Sequence, residues 1–220
     1  MHRRRRTALV LSAAAVAAAP LLTACGSEAH PGAAAVVGKD RITVSQLESR
    51  VNEVRDAQRA AIPDEQYEQA IAKTGGLTRS TLHTMVLDKV LHRAAADEGV
   101  NVSRREIQTL RSGLEQQQGG KKALEQGWLQ QYSVAPSRLD DSLRTEIEAQ
   151  KLAKKLGADM NAPEGQALFW KALSKASKKL DVDLNPRYGK WDVKKSQRAD
   201  AKTPWVREVS GGGAAKPQQA

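Results

Sequence analysis

Few residues in this chain could carry chemistry. His83 and His92 lie nine positions apart, which at about 3.6 residues per helical turn puts them on opposite faces, so they are expected as half-exposed helix residues and not as a metal pair. Asp181-x-Asp183-x-Asn185 with Asp192 has the outline of a calcium loop. Pro186, however, stands where that loop needs glycine for its sharp turn, and its bidentate glutamate is replaced, so no calcium is expected. Asp140 and Asp141 are adjacent, and adjacent residues of a helix point in different directions, which suits a solvated face better than acid/base work. A nucleophile elbow, a Walker A loop, an HExxH pair and a dinucleotide-binding glycine fingerprint are absent from the sequence. It declares no catalytic residue, metal ligand or cofactor, and the chain is expected not to be an enzyme. Cys25, the single cysteine, is the exception. Alone it makes no internal disulfide and no cysteine-based zinc site. In Leu22-Thr23-Ala24-Cys25-Gly26 it follows small residues, and covalent modification is the chemistry open to its thiol.

The residues before Cys25 agree with that chemistry. Four arginines end at Arg6, an apolar stretch runs from Ala8 to Leu22, and no acid occurs before Glu28. This is the layout of a secretory signal. The apolar stretch is shorter than the roughly 20 residues a spanning helix needs. The pattern around Cys25 resembles the bacterial lipobox, a resemblance that implies a narrow peptidase site for the small residues and a diacylglyceryl thioether on the thiol, and it is preferred to ordinary cleavage after Ala17-Ala18-Ala19, which would leave a free thiol in an oxidising compartment. Residues 1–24 are therefore expected as a signal peptide and Cys25 as the lipidated first residue of the mature chain. Buried acyl methylenes stabilise membrane association by about 0.8 kcal/mol each, so two or three chains anchor stably where one myristoyl would not. The expected location is the outer face of the cytoplasmic membrane. Four arginines of the formal +10 leave with the leader, which lowers the net charge to +6. The remaining cations are interspersed with acids along helices, so anionic lipid or wall polymer is a better electrostatic partner than nucleic acid.

Position along the chain follows from periodicity and punctuation. Residues 25–34 form a short tether rich in Gly, Pro and Ala. Ala35-Val36-Val37, a turn at Gly38-Lys39-Asp40 and Arg41-Ile42 predict two short strands. Thr43-x-x-Gln46 predicts a capping box, opening a helix with Val44, Leu47, Val51 and Val54 on one face and an end near Pro63. After Gly75-Gly76, residues 78–98 form the most apolar helix, with Leu82, Met85, Val86, Val90, Leu91 and Ala94 on a broad stripe and Gly99 as its left-handed close. Ser103-x-x-Glu106 predicts a second capping box and a helix with Ile107, Leu110 and Leu114 inward. Gly119-Gly120 ends it. A shorter helix then carries Leu124, Trp128 and Tyr132, and Pro136 opens a long charged helix with Leu139, Leu143, Ile147, Leu152 and Leu156 inward, ending at Gly157. A last helix presents Phe169, Leu173, Ala176 and Leu180. Asp181-Val182-Asp183-Leu184 alternates as a strand and is expected to pair with Ala35–Val37. Residues 193–220, rich in Lys, Gly, Pro, Gln and Ala, are expected as a flexible basic tail, with Trp205 in it a packing residue or a binding anchor. The fold class is mainly α, one helical domain over residues 35–192 with a small sheet joining its two ends.

That ordered set of parts resembles the N-terminal domain of SurA and of the PrsA-like foldase lipoproteins. The resemblance rests on Val36 to Thr43, on Met85 to Leu91, on Ala95 to Ser103 with Glu106-Ile107, on Trp128-Leu129 through Leu143 to Ile147 and Gln150 to Leu152, and on Val182 to Gly189. It covers roughly residues 35–192. In those foldases a parvulin prolyl isomerase domain follows the helices, whereas here only the loop from Gly157 to Glu164 precedes the last helix, and a folded domain needs at least about 50 residues. The resemblance implies a membrane-anchored, ATP-independent chaperone for unfolded secreted polypeptides, without parvulin activity. Trp128, Leu129 and Tyr132 are the expected client-facing residues, set against ordinary core packing. The competing expectations are a lipoprotein adaptor that binds one envelope partner through its C-terminal tail, and a residual prolyl isomerase. Client identity and oligomeric state are not encoded in any motif.

Overall fold

The structure, a computed structural model, describes residues 32–61, 67 and 76–200. The signal peptide, Cys25, most of the tether and Trp205 lie outside the described residues. Strand β1 (Ala33–Val37) and strand β2 (Asp40–Thr43) form an antiparallel hairpin. Its turn places Gly38 at φ 63°, and the Gly38 N–H donates to the carbonyl of Leu180 at 2.5 Å. The first strand begins two residues earlier than expected, with Ala33 and Ala34 both buried. On the other edge of β1 lies β3 (Asp183–Leu184), with Ala35 opposite Leu184 and Val36 opposite Asp183, so the two ends of the domain share one sheet in the order β2-β1-β3. Asp181 and Val182 are outside that strand, since Asp181 is left-handed at φ 45° and ends the preceding helix.

Among the described residues six α-helices surround this sheet: α1 (Val44–Ala61), α2 (Leu77–Asp97), α3 (Arg104–Gln118), α4 (Lys121–Tyr132), α5 (Leu139–Leu156) and α6 (Pro163–Leu180). Both capping boxes form. Thr43 Oγ1 accepts the Gln46 N–H at 3.1 Å while Gln46 Oε1 accepts the Thr43 N–H at 2.9 Å, and Ser103 and Glu106 repeat the exchange. At the end of α2, Gly99 is left-handed and Val100 N–H reaches back to the Ala95 carbonyl, so the chain leaves the helix with its last carbonyls satisfied.

Two apolar cores result. The first gathers β1, α1, α2, α6 and the C-terminal end of α5 around Leu47, Leu82, Val86, Val90 and Leu152. The second is smaller, with Ile107 of α3, Leu124 of α4, and Leu139, Leu143 and Ile147 of α5. Helix α5 belongs to both, and its 18 residues form the beam that joins them. Arg111 ties the second core together from outside, its guanidinium donating to Glu115, Glu125 and Asp140. Asp140 and Asp141 are thus held by arginines of different helical positions, the latter by Arg138.

The expected flexible tail needs correction over its first residues. Strands β4 (Lys190–Asp192) and β5 (Gln197–Ala199) form a second hairpin, and Ser196 in its turn is buried. Asp192 Oδ1 accepts the N–H groups of Lys194 and Lys195 to close that turn. The hairpin docks on α2. Trp191 donates its indole N–H to the buried Ser177 hydroxyl at 2.5 Å, its ring lies 5.7 Å from that of His83, and the Arg198 N–H reaches His83 Nδ1. Lys-Lys-Ser-Gln has no apolar alternation, so hydrogen bonds and one aromatic side chain hold this segment where periodicity predicts none. Residues 201–220 are outside the described residues.

Candidate functional site

Helix α4 carries all three expected client-facing residues, and its geometry separates them. Successive helical positions are about 100° apart, so Trp128 and Leu129 face different cores. Trp128 packs on the second core and donates its indole N–H to Ser142 at 3.3 Å. Leu129 is only 3% exposed and belongs to the first core, so most of its side chain is used in packing and only its edge reaches the surface. Tyr132 is 55% exposed, its ring 5.3 Å from that of Trp128.

Beside them a cleft of about 190 Å³ opens between the C-terminal half of α1 and α4. Its floor is the edge of Leu129, and its walls are Ala61 and the carboxamides of Gln58, Gln126 and Gln130. A carboxamide offers donors and an acceptor without net charge. Three of them around an aliphatic floor complement a peptide backbone and a small apolar side chain whatever the local sequence. An ion pair joins α1 to the residue before α5: the Arg138 guanidinium donates to both carboxylate oxygens of Glu53 at 2.7 and 2.8 Å, joined by Ser137. That bidentate contact holds the Glu53 carboxyl below the usual carboxylate range and raises Arg138 further.

Exposed apolar surface continues at the corner between α5 and α6, where Met160, Leu168 and Trp170 are each more than two-fifths exposed. Leu168 and Trp170 flank the inward Phe169, so they lie to either side of the core stripe. The criterion that singled out Tyr132, an apolar residue left over once the stripe is filled, would have found them too.

The seam between α2 and α5 is polar. Asp88 Oδ1 lies 3.4 Å from the Thr145 hydroxyl, and His92 Nδ1 lies 3.1 Å from Oε1 of the buried Glu148. Burial pushes the Asp88 carboxyl up to about 6, only partly opposed by the Arg50 charge from α1. A second cavity, about 360 Å³, lies between the start of α2 and the C-terminal hairpin, lined by Arg79, Ser80, His83, Arg198 and Asp200 among others. There burial and then the Arg198 charge hold the His83 imidazole below its ordinary pKa. His83 is half-buried and His92 exposed, on different faces of α2. Of the residues with a calcium-loop outline, Asn185 accepts the Arg187 N–H and donates to the Ala33 carbonyl, and Asp192 closes its turn. Among the described residues no group of three or more His, Cys, Asp or Glu side chains is gathered as a metal site requires, and no helix is long and apolar enough to cross a membrane.

Residues 1–153 match the family model described as SurA-like N-terminal domain. No curated protein and no solved structure matches the chain. The matched stretch ends inside α5, so the rest of α5, all of α6 and β3, which complete the first core, lie beyond it.

Proposed function

The chain belongs to the SurA-like N-terminal domain family, a chaperone-like foldase family whose domains bind polypeptides, and from that premise we propose that it is an ATP-independent chaperone for unfolded exported polypeptides. It works at the outer face of the cytoplasmic membrane, held there by acyl chains on Cys25. The observation that carries the proposal is the cleft between α1 and α4, whose lining among the described residues is three carboxamides around an aliphatic floor, with the exposed Tyr132 ring on the same helix α4. Uncharged walls favour many sequences weakly over one sequence strongly, which is the selectivity a holding chaperone needs. Met160, Leu168 and Trp170 give an extended client further apolar contacts.

The proposal includes no reaction centre. Between α5 and α6 there are six residues, Gly157 to Ala162, against the roughly 50 of a folded domain, so the foldase family's isomerase is not lodged at that point. Prolyl isomerisation is accordingly expected to be absent.

Light scattering of a chemically unfolded client tests the activity. The protein is expected to slow aggregation at near-stoichiometric amounts without nucleotide. Unchanged scattering, or capture of one stoichiometric partner that is lost on deleting residues 202–220, would favour an adaptor instead. Acceleration of a proline-peptide isomerisation would overturn the non-enzymatic part.

A further inference from the structure

The hydroxyl of Thr145 has two acceptors and one hydrogen. Its oxygen stands 3.2 Å from the Asp141 carbonyl and 3.4 Å from Asp88 Oδ1. While Asp88 is a carboxylate, one of the two goes without. A proton on Asp88 resolves the conflict, because the acid can donate to Thr145 Oγ1 and leave the Thr145 hydrogen to the carbonyl. The charges around Asp88 act in the same direction. Arg50 faces it from α1 and attracts, whereas Glu148 and Asp141 face it from α5 and repel. Asp141 is partly answered by Arg138 at 3.4 Å, while Glu148 is buried and has His92, one turn beyond Asp88 on the same face of α2.

We propose that the α2–α5 seam is a proton-operated joint between the two cores, closed in acid and loosened toward alkaline pH. What the joint moves is the second core. Leu139, Leu143 and Ile147 of α5 hold α3 and α4, and α4 supplies one wall of the cleft whose other wall is α1. Loosening the seam therefore widens the cleft. That last step rests on the chaperone proposal; the joint itself does not. The sign follows from the carboxyl: folded Asp88 titrates near 6 against an ordinary 3.8, so the folded form binds its proton more tightly. The contribution to stability is complete below the ordinary value and is lost as pH rises through about 6.

Hydrogen exchange of the full chain between pH 5 and pH 8, corrected for the intrinsic rates of free amides, tests the joint. Amides of α3 and α4 are expected to lose protection several-fold as pH rises, with a midpoint near that of Asp88. Asp88→Asn, which keeps a donor for Thr145 and cannot ionise, is expected to hold the protected state throughout. Should that variant fail to fold, Glu148→Gln decides: removing the repulsion moves the midpoint to lower pH. Protection that does not vary with pH, or variants whose profile matches the parent, would overturn the proposal. Binding of a fluorescent unfolded peptide, measured in parallel, separates the two ideas. An exchange transition without a change in peptide affinity leaves the joint standing and removes the cleft as the client surface.

Discussion

At Gly165, in the first turn of α6, a Cβ would stand 2.0 Å from the carbonyl oxygen of Asp159 and 2.4 Å from its amide nitrogen. The obstacle is backbone on both counts, with no flexible side chain to give way. Gly165→Ala is therefore expected to lower stability by about 1–3 kcal/mol, read as a fall in the urea midpoint, although alanine is the better helix former. No periodicity argument reaches this residue, because its reason lies in a loop that returns six positions earlier. Asp88 was invisible as a special residue, since a single acid in an apolar stripe looks like the edge of a solvated face until α5 is laid across it.

At the scale of the element, helix boundaries were legible wherever local chemistry sets them. Thr43, Gly99, Ser103, Gly119 and Gly157 cap helices as their types require. The C-terminal hairpin was not legible, because its stability comes from Trp191 on Ser177 and His83, contacts that no alternation announces. Helix α4 gives the sharpest test of what is packing and what is surface. Leu129→Ala removes a buried side chain and is expected to cost about 2–5 kcal/mol, measured by denaturant unfolding. Tyr132→Ser changes an exposed ring three positions on, and is expected to leave the unfolding midpoint nearly unchanged while weakening suppression of client aggregation. If both variants lose activity only in proportion to lost stability, Tyr132 is not where clients bind.

For the whole molecule, the division into two cores predicts unequal responses. Leu124 and Val86 are both fully buried, one in each core. Leu124→Ala is expected to raise hydrogen exchange in α3 and α4 well before it affects α2 and α6, whereas Val86→Ala lowers protection everywhere, since α2 touches the sheet, α1, α5 and α6. Equal exchange profiles for the two would mean that α5 transmits strain without a joint. The mainly α class was legible from the helical stripes, and the pairing of the two ends from the strand patterns. The separation into two cores was not, because a continuous apolar stripe along α5 does not say that its two halves meet different partners.

Strand β1 occupies the middle of its sheet, and its last partner comes late: Asn185 bonds to the Ala33 carbonyl across 152 positions. A chain emerging from its N-terminus thus has its earliest strand half-paired until almost the whole domain has followed. During that interval the alanines of β1 and the broad face of α2 stay wet and adhesive. Each newly made copy therefore passes through the condition it is proposed to guard against in others, and older copies nearby are the first help it would meet.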